Sequence, residues 1–482
     1  MLFPHTESSE NLQKKRLIEI LLCLMFIAQA GFLTERLTVK QNSFQTGVDA
    51  AMFENMLFNT LNGSFFTTSL GPFDFPHSYF ADHVNLNLFF IIPVYSIFPY
   101  METLFWIQSL VLASPILILY LICREWDRFS ILPSVLYFFY LPVFWIGIFD
   151  VHFETLFIPF FLLFYHFEKK GNHKWKFISF LLCLFCKEET ASVFMVYSIL
   201  RFRSDRKSSI LIFSVSIVYF ILCLLILSVS RPDTGLPYHL YRFLEIPKHQ
   251  GLYIYLIYFL FIPFLFFPFL SEYILLILPY LAYSFLSSSE VNKTPLTHHS
   301  FIAVPVILTA FIQGFRRFQE WIETDVPGNS RGTESADSFN VFFVFRKYIQ
   351  RVNFISAVPL LLILISAFLF LTEGPPSKKY SYGKNFMKRN IPEEMLKLLK
   401  DLDPEEKIAS NVPALLSRRK HLRLLDLQKT YTDETLIIYT FENRMDISGL
   451  AERQKKTHSL EFKFNDLVIM KPAVKNQAER KN

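Results

Sequence analysis

Phe44–Gly63, FQTGVDAAMFENMLFNTLNG, is the stretch on which the reading of this chain turns. Val48, Met52, Phe53, Met56, Leu57 and Leu61 recur at helical spacing, and Gly63 stands where a helix end takes a left-handed residue. The stretch follows the first long apolar run and sets Asp49 and Glu54 just beyond it. This pattern predicts an amphipathic helix along a membrane surface, holding a carboxylate over the bilayer. A polar loop that happens to carry two acids is the plainer reading. Ionisable groups beside a bilayer are nonetheless functional hypotheses by default.

Outward from that stretch the chain is apolar. Of 482 residues, 52% are hydrophobic and only 19% charged, below the roughly 25% of soluble domains. Runs near 17–33, 84–98, 103–122, 130–148, 153–167, 176–187, 189–202, 210–230, 252–270, 272–287, 299–316 and 354–372 read as membrane segments, several short of the ~18–20 residues a span needs. Basic clusters such as Lys14-Lys15-Arg16, Arg201–Lys207 and Arg316-Arg317 all fall in the cytoplasm if 84–98 does not fully cross or crosses twice. That gives a polytopic α-helical protein of about eleven spans in the inner membrane, with the N-terminus cytoplasmic. Ala28-Gln29-Ala30 resembles a signal-peptidase site, but the first run reads as an uncleaved span. The net charge of +6 follows the positive-inside pattern rather than a nucleic-acid footprint. All five cysteines lie in apolar runs, and Cys183/Cys186 lack the partners of a redox or zinc motif.

The expected organisation is a membrane domain over 1–372, with an outer loop 34–82, a polar cytoplasmic linker 322–340, and a small α/β extracytoplasmic domain over 373–482. Within that last region 407–412, 422–427, 435–441 and 466–470 read as strands and 393–402 as a helix.

The same topology gathers the remaining ionisable residues on the outer face. Asp150-Val-His152-Phe-Glu154 lies between two apolar runs, and an extended turn would turn its three ionisable side chains to one side. Lys187-Glu188-Glu189 interrupts what is otherwise one long apolar helix, and predicts two half-spans meeting at a polar break. His83 and His298-His299 open apolar segments, and Arg231 begins a loop, 231–250, rich in aromatic and basic residues. No Walker loop, nucleophile elbow or H-E-x-x-H is present.

The order of these residues resembles the predicted bacterial membrane proteins of domain-of-unknown-function family 2079. The resemblance rests on Asp49, Glu54, Asn59 and Gly63; on His83 with Pro93 and Tyr95; and on Phe149, Asp150 and His152. It continues through Lys187-Glu188-Glu189, His299 with Pro305, Asp403-Pro404 and Ile408–Arg419, so it runs from about Gly47 to Val468. Glu154 departs from the pattern, where the family often has proline. The family is similar in layout to the GT-C superfamily of integral-membrane glycosyltransferases, and this likeness implies Asp49 as the catalytic acid-base residue.

The leading expectation is therefore a GT-C-like glycosyltransferase, taking a sugar from a polyprenyl-phosphate donor to an envelope glycan or protein. Asp49 would act as base with Glu54 in support, and His83, His152, Lys187 or Arg231 would neutralise the phosphate. Asp150, Glu188, Glu189 and His299 complete the expected substrate site. A divalent cation, Mg or Mn, is conceivable through Asp49, Asp150 and Glu188. The alternatives are a transporter or flippase of a lipid-linked or charged solute, and a non-catalytic envelope assembly protein.

Overall fold

In the computed structural model, the first apolar run and the residues after it form a single helix, α1 (Ser9–Asn42). A tight turn then leads into α2 (Val48–Leu61), the predicted helix. Gly63 follows with φ of +87°, the left-handed conformation its position requires. The structure describes residues 9–71, 73, 75–126, 129–233, 252–288, 297–323, 354–376, 397, 399, 401–403, 405–426, 429, 431–439, 454, 457–464 and 467–473. Most of the expected linker 322–340, most of the loop 231–250 and most of the helix expected at 393–402 lie outside these residues.

After a short β1–β2 ladder (Thr67–Thr68 and His77–Ser78) the bundle continues. It runs through α3 (Leu88–Ile97), α4 (Met101–Ala113), α5 (Pro115–Cys123), α6 (Leu132–Phe138) and α7 (Leu141–Phe149). Next come α8 (Phe157–Lys169), α9 (His173–Leu184), α10 (Thr190–Arg201), α11 (Arg206–Ser230) and α12 (Leu252–Phe261). The last helices are α13 (Leu278–Leu286), α14 (Ala303–Glu323) and α15 (Phe354–Glu373).

Among the described residues four helical stretches are long and apolar enough to cross a membrane: Gln13–Asn42, Met101–Cys123, Arg206–Ser230 and His298–Ile322. The pair α6 and α7, bent by 44°, makes a fifth if counted as one span. Ten residues of α3 rise only ~15 Å, about half a hydrocarbon core, so segment 84–98 cannot cross as a single helix. Segment 252–270 is not one helix either. Pro263 and Pro268 break it into 3₁₀ turns, with Leu265 and Phe266 left-handed between them. The charged break behaves as its sequence predicts, because α9 and α10, of 12 residues each, flank Lys187–Glu189.

The C-terminal region forms a mixed five-stranded sheet of β3 (Ile408–Ser410), β4 (Leu422–Leu424), β5 (Thr435–Tyr439), β6 (His458–Phe464) and β7 (Leu467–Pro472). In the order β4-β3-β5-β7-β6, β3 runs parallel to both its neighbours, while β7 runs antiparallel to β5 and β6. Sequence reading misses β6, although Leu460, Phe462 and Phe464 alternate with Glu461 and Lys463 at the period of a strand.

This sheet changes the setting of α2. Ala50, Ala51, Phe53, Met56 and Leu57 share one core with Leu104 and Phe105 of α4 and with Ile408, Val412, Leu422 and Ile437 of the C-terminal region. Asn55 Nδ2 donates to the carbonyls of Ser417 (2.8 Å) and Arg419 (2.9 Å), and Gln41 Nε2 donates to Ala414 O (3.1 Å). The helix therefore does not leave one face free, as the expected surface helix would. It is enclosed between the bundle and the sheet, since both its faces find apolar partners.

At the opposite end of α8–α10 the buried Glu168 carboxylate accepts from the Tyr197 hydroxyl and from Tyr273 Oη (2.5 Å). Arg201 Nε lies 3.2 Å and Lys176 Nζ 3.8 Å from the same carboxylate, so one acid bolts three helices and the turn before α13.

Candidate functional site

The site begins at the first turn of α2. Gly47, before the helix, has no side chain to cap it, and Asp150 does so from another segment: its Oδ2 accepts the amide of Ala50 at 3.3 Å. A Cβ at position 47 would run into that carboxylate oxygen. Glycine is needed here for close approach. Burial pushes the Asp150 carboxyl above its ordinary value; Lys40 opposes this and Asp49 adds to it. Lys40, at the end of α1, donates to the last carbonyls of α7, Ile148 (3.4 Å) and Phe149.

Gln108 of α4 holds the next residues. Its Nε2 donates to Asp150 O (2.8 Å) and its Oε1 accepts from the His152 amide (2.5 Å). The chain is extended at Asp150 and His152 and then turns into a 3₁₀ segment, Phe153–Leu156. The expected single-sided turn is therefore not what forms. Asp150 is directed at the start of α2, whereas His152 and Glu154 face each other.

His152 is the hub. Its Nε2 lies 3.3 Å from Asp49 Oδ2 and its Nδ1 lies 3.2 Å from Glu154 Oε1. The same Glu154 oxygen is 3.5 Å from His298 Nε2, and the rings of His152 and His298 stack with centroids 3.4 Å apart at 16°. Burial by itself would lower His152, but the Glu154 and Asp49 carboxylates outweigh it and raise the imidazole to about 10. Burial likewise opposes ionisation of Glu154, yet His152 holds it well below the usual carboxylate range. Asp49 is the open member of the group, with 41% of its side chain exposed against 6% for His152.

A second ionic group adjoins it. His83 Nδ1 is 2.9 Å from Glu188 Oε1, and Glu188 Oε2 accepts the amide of Val84 at 3.1 Å. Lys187 Nζ lies 3.5 Å from Glu189. Among the three acids considered for a divalent cation, Glu188 is thus committed to His83 and Asp150 to the start of α2. Among the described residues, the ligand-type group that the fold assembles is His152, Glu154 and His298, whose candidate atoms all lie within 4.8 Å of one another.

Three expectations are displaced. Glu54 does not join Asp49: five residues along a helix places them ~140° apart. Its buried carboxylate instead accepts from the Ser417 hydroxyl and from Tyr95 Oη (3.3 Å). There it borders a cavity of about 510 Å³ shared with Gln41, Tyr100, Glu102 and Arg418. Burial raises Glu54 to about 7, with Ser417 and Arg418 opposing. His299 packs near Tyr283, ring centroids 6.2 Å apart, and it is His298 that faces Glu154. Arg231 pairs with Asp233 at 2.8 Å and lies over the ring of Phe73.

The comparisons can now be set beside this geometry. Residues 40–235 match the model of the family described as predicted membrane protein (DUF2079). The resemblance to that family is thereby shown. The matched stretch contains every residue of the site except His298. Among solved structures, the crystal structure of ArnT from Cupriavidus metallidurans in the apo state is similar, with a TM-score of 0.54 at 11% identity, over 96% of this chain and 98% of that one. At that identity the likeness is one of fold. No curated protein matches the chain. The chain is thus a mostly helical membrane protein that resembles the DUF2079 family over 40–235 and shares a fold with ArnT.

Three site residues escaped sequence reading. Gln108 and Lys40 are polar residues of otherwise apolar helices, and Gly47 lies in the short connection before α2. Glu154 is singled out with Asp150 and His152, but also as a departure from the family pattern, and it is not placed in the expected substrate site. The one available signal was polar residues inside membrane helices, which are rare unless they serve a site.

Proposed function

We propose that this protein is a GT-C-like glycosyltransferase that moves a sugar from a polyprenyl-phosphate donor to an envelope acceptor, with Asp49 as the base. The observation that carries this reading is the exposed Asp49 carboxylate, held on a capped helix and backed by a buried histidine. The ArnT-like fold supports it at the level of architecture.

Asp49 accepts the proton of the acceptor hydroxyl as its oxygen bonds to the anomeric carbon. The bond from that carbon to the phosphate oxygen breaks, and the lipid phosphate leaves with the electron pair. His152 at 3.3 Å steadies the Asp49 carboxylate. Arg231, at the end of α11 and packed over Phe73, would meet the phosphate by exchanging its Asp233 partner for a phosphate oxygen. Lys187 and His83 already serve the neighbouring acids. They shape the charge of the site.

The test is a mass-spectrometric profile of envelope glycans and lipid-linked sugars. It compares wild type, a deletion, and the deletion carrying Asp49→Asn at equal membrane abundance. One glycan should lose a sugar in the deletion, its lipid-linked donor should accumulate, and Asp49→Asn should restore neither. Full restoration by Asp49→Asn refutes the proposal and favours transport or assembly.

A further inference from the structure

We propose that His152, Glu154 and His298 form a binding site for one transition-metal dication of the zinc class, with Asp49 as the outer partner of a ligating histidine. One carboxylate oxygen lies between two imidazole nitrogens, at 3.2 Å from His152 Nδ1 and 3.5 Å from His298 Nε2. Ligands on a tetrahedral ion with bonds of about 2.1 Å sit ~3.4 Å apart, so both separations already suit an ion between them. A single proton can join Glu154 to only one of the two rings. Two imidazolium rings stacked face to face 3.4 Å apart would repel each other. A dication satisfies both rings and the carboxylate at once. Two imidazoles with one carboxylate select zinc-like ions over magnesium or calcium, which favour oxygen cages.

Two further features suit a ligand site. His298 is 9% exposed and its Nδ1 has no hydrogen-bond partner, so this ring is not held by an ordinary polar network. His152 is braced through its amide by Gln108 and turns its second nitrogen toward Asp49 Oδ2 at 3.3 Å. A metal-bound histidine commonly presents its other N–H to a carboxylate in this way, which sets the tautomer and the ring orientation. Lys187, paired with Glu189, is the nearby competing cation. Against it stand Glu154, Glu189 and Asp49, enough acid to balance an added dication. The three ligands join the loop after α7 to the start of α14, so the ion would also tie two distant parts of the chain.

Metal binding stands independently of sugar transfer; the consequence for Asp49 as a base rests on the reading above. The experiment uses the full chain in detergent, with a histidine-free affinity tag, stripped with a chelator and then offered zinc chloride or magnesium chloride. Metal content after desalting is read by mass spectrometry, and affinity and proton release by calorimetry in two buffers. The wild type should keep one zinc per chain and no magnesium, and should release a proton as zinc displaces it from the His152–Glu154 pair. His298→Ala and Glu154→Gln should each lose zinc at least tenfold. Asp49→Asn should keep the stoichiometry but weaken affinity about 10- to 100-fold. Cobalt in the wild type should show the visible absorption of a four-coordinate ion, a readout that needs no variant to fold. A wild type that keeps no zinc, or keeps it equally well in both ligand variants, overturns the proposal. If zinc fails to bind while Asp49→Asn still blocks the glycan product, the metal site is refuted and the transferase reading stands. If zinc binds while Asp49→Asn is silent, the reverse holds.

Discussion

Glu54 offers a sharp test of how the C-terminal sheet is joined to the bundle. It is 2% exposed, and its hydrogen-bond partners Ser417 and Tyr95 come from the two bodies it separates. Burial raises its carboxyl from 4.5 to about 7, so the docked state binds the proton more tightly than the undocked state. The sign follows directly. Stability from this group is complete below pH 4.5, declines as pH rises toward 7, and is flat above. The gap of about 2.5 pH units, at 1.36 kcal/mol each, sets an upper bound of about 3 kcal/mol, or about two and a half decades in the docking equilibrium. Glu54→Gln keeps the shape but cannot ionise, and its amide should still use the Ser417 and Tyr95 hydroxyls. The assay is hydrogen exchange of Ile408–Ser410 in the full-length protein between pH 4.5 and 8, corrected for intrinsic rates. In the wild type, protection should fall by up to a few hundredfold across this window. In Glu54→Gln it should stay level, and at pH 8 it should exceed the wild type. A wild-type profile that is flat, or a variant with the same decline, refutes the reasoning. If Glu54→Gln instead leaves docking unchanged and abolishes the glycan product, Glu54 is catalytic after all.

Further outcomes follow from the other contacts. Gly47→Ala should drive a methyl into the Asp150 carboxylate and cost about 1–2 kcal/mol through the lost cap, read as a fall in thermal midpoint. Combining it with Asp150→Ala should cost little more than the worse single change, because both remove one interaction. Glu168→Gln should cost up to about 3 kcal/mol, read as a fall in thermal midpoint, since the largely buried Lys176 and the partly exposed Arg201 lose their shared acid. Gln108→Leu should reduce product formation at preserved membrane abundance, because the loop carrying His152 loses both its backbone ties while no ionisable group is touched. A Gln108→Leu product profile equal to wild type would show that the loop is held by other means.

Much of the architecture was legible from local pattern. The first span, the helix at 48–61 with its left-handed Gly63, the break at Lys187–Glu189 and four of the five strands all follow from short-range spacing of apolar, charged and turn residues. The breaks at Pro263 and Pro268 were also written in the sequence, though an uninterrupted apolar composition hid them. The site was legible in part. Asp49, Asp150 and His152 were singled out and do converge, with Asp49 and His152 in ion-pair reach and Asp150 capping the helix that carries Asp49.

What residue types and their spacing determine here is therefore the membrane class, the main helices and the set of ionisable residues available for chemistry. Partner choice is different, because it depends on residues far apart in the chain. Asp49 meets His152 across 103 positions, and Glu54 meets Ser417 across 363. The ~140° between Asp49 and Glu54 on one helix was implicit in its period. Only the tertiary structure shows what waits on each side: a buried histidine for one acid, and the docked C-terminal sheet for the other. Burial then decides their chemistry, because removing water from Glu54 while leaving Asp49 exposed gives two like side chains different tasks.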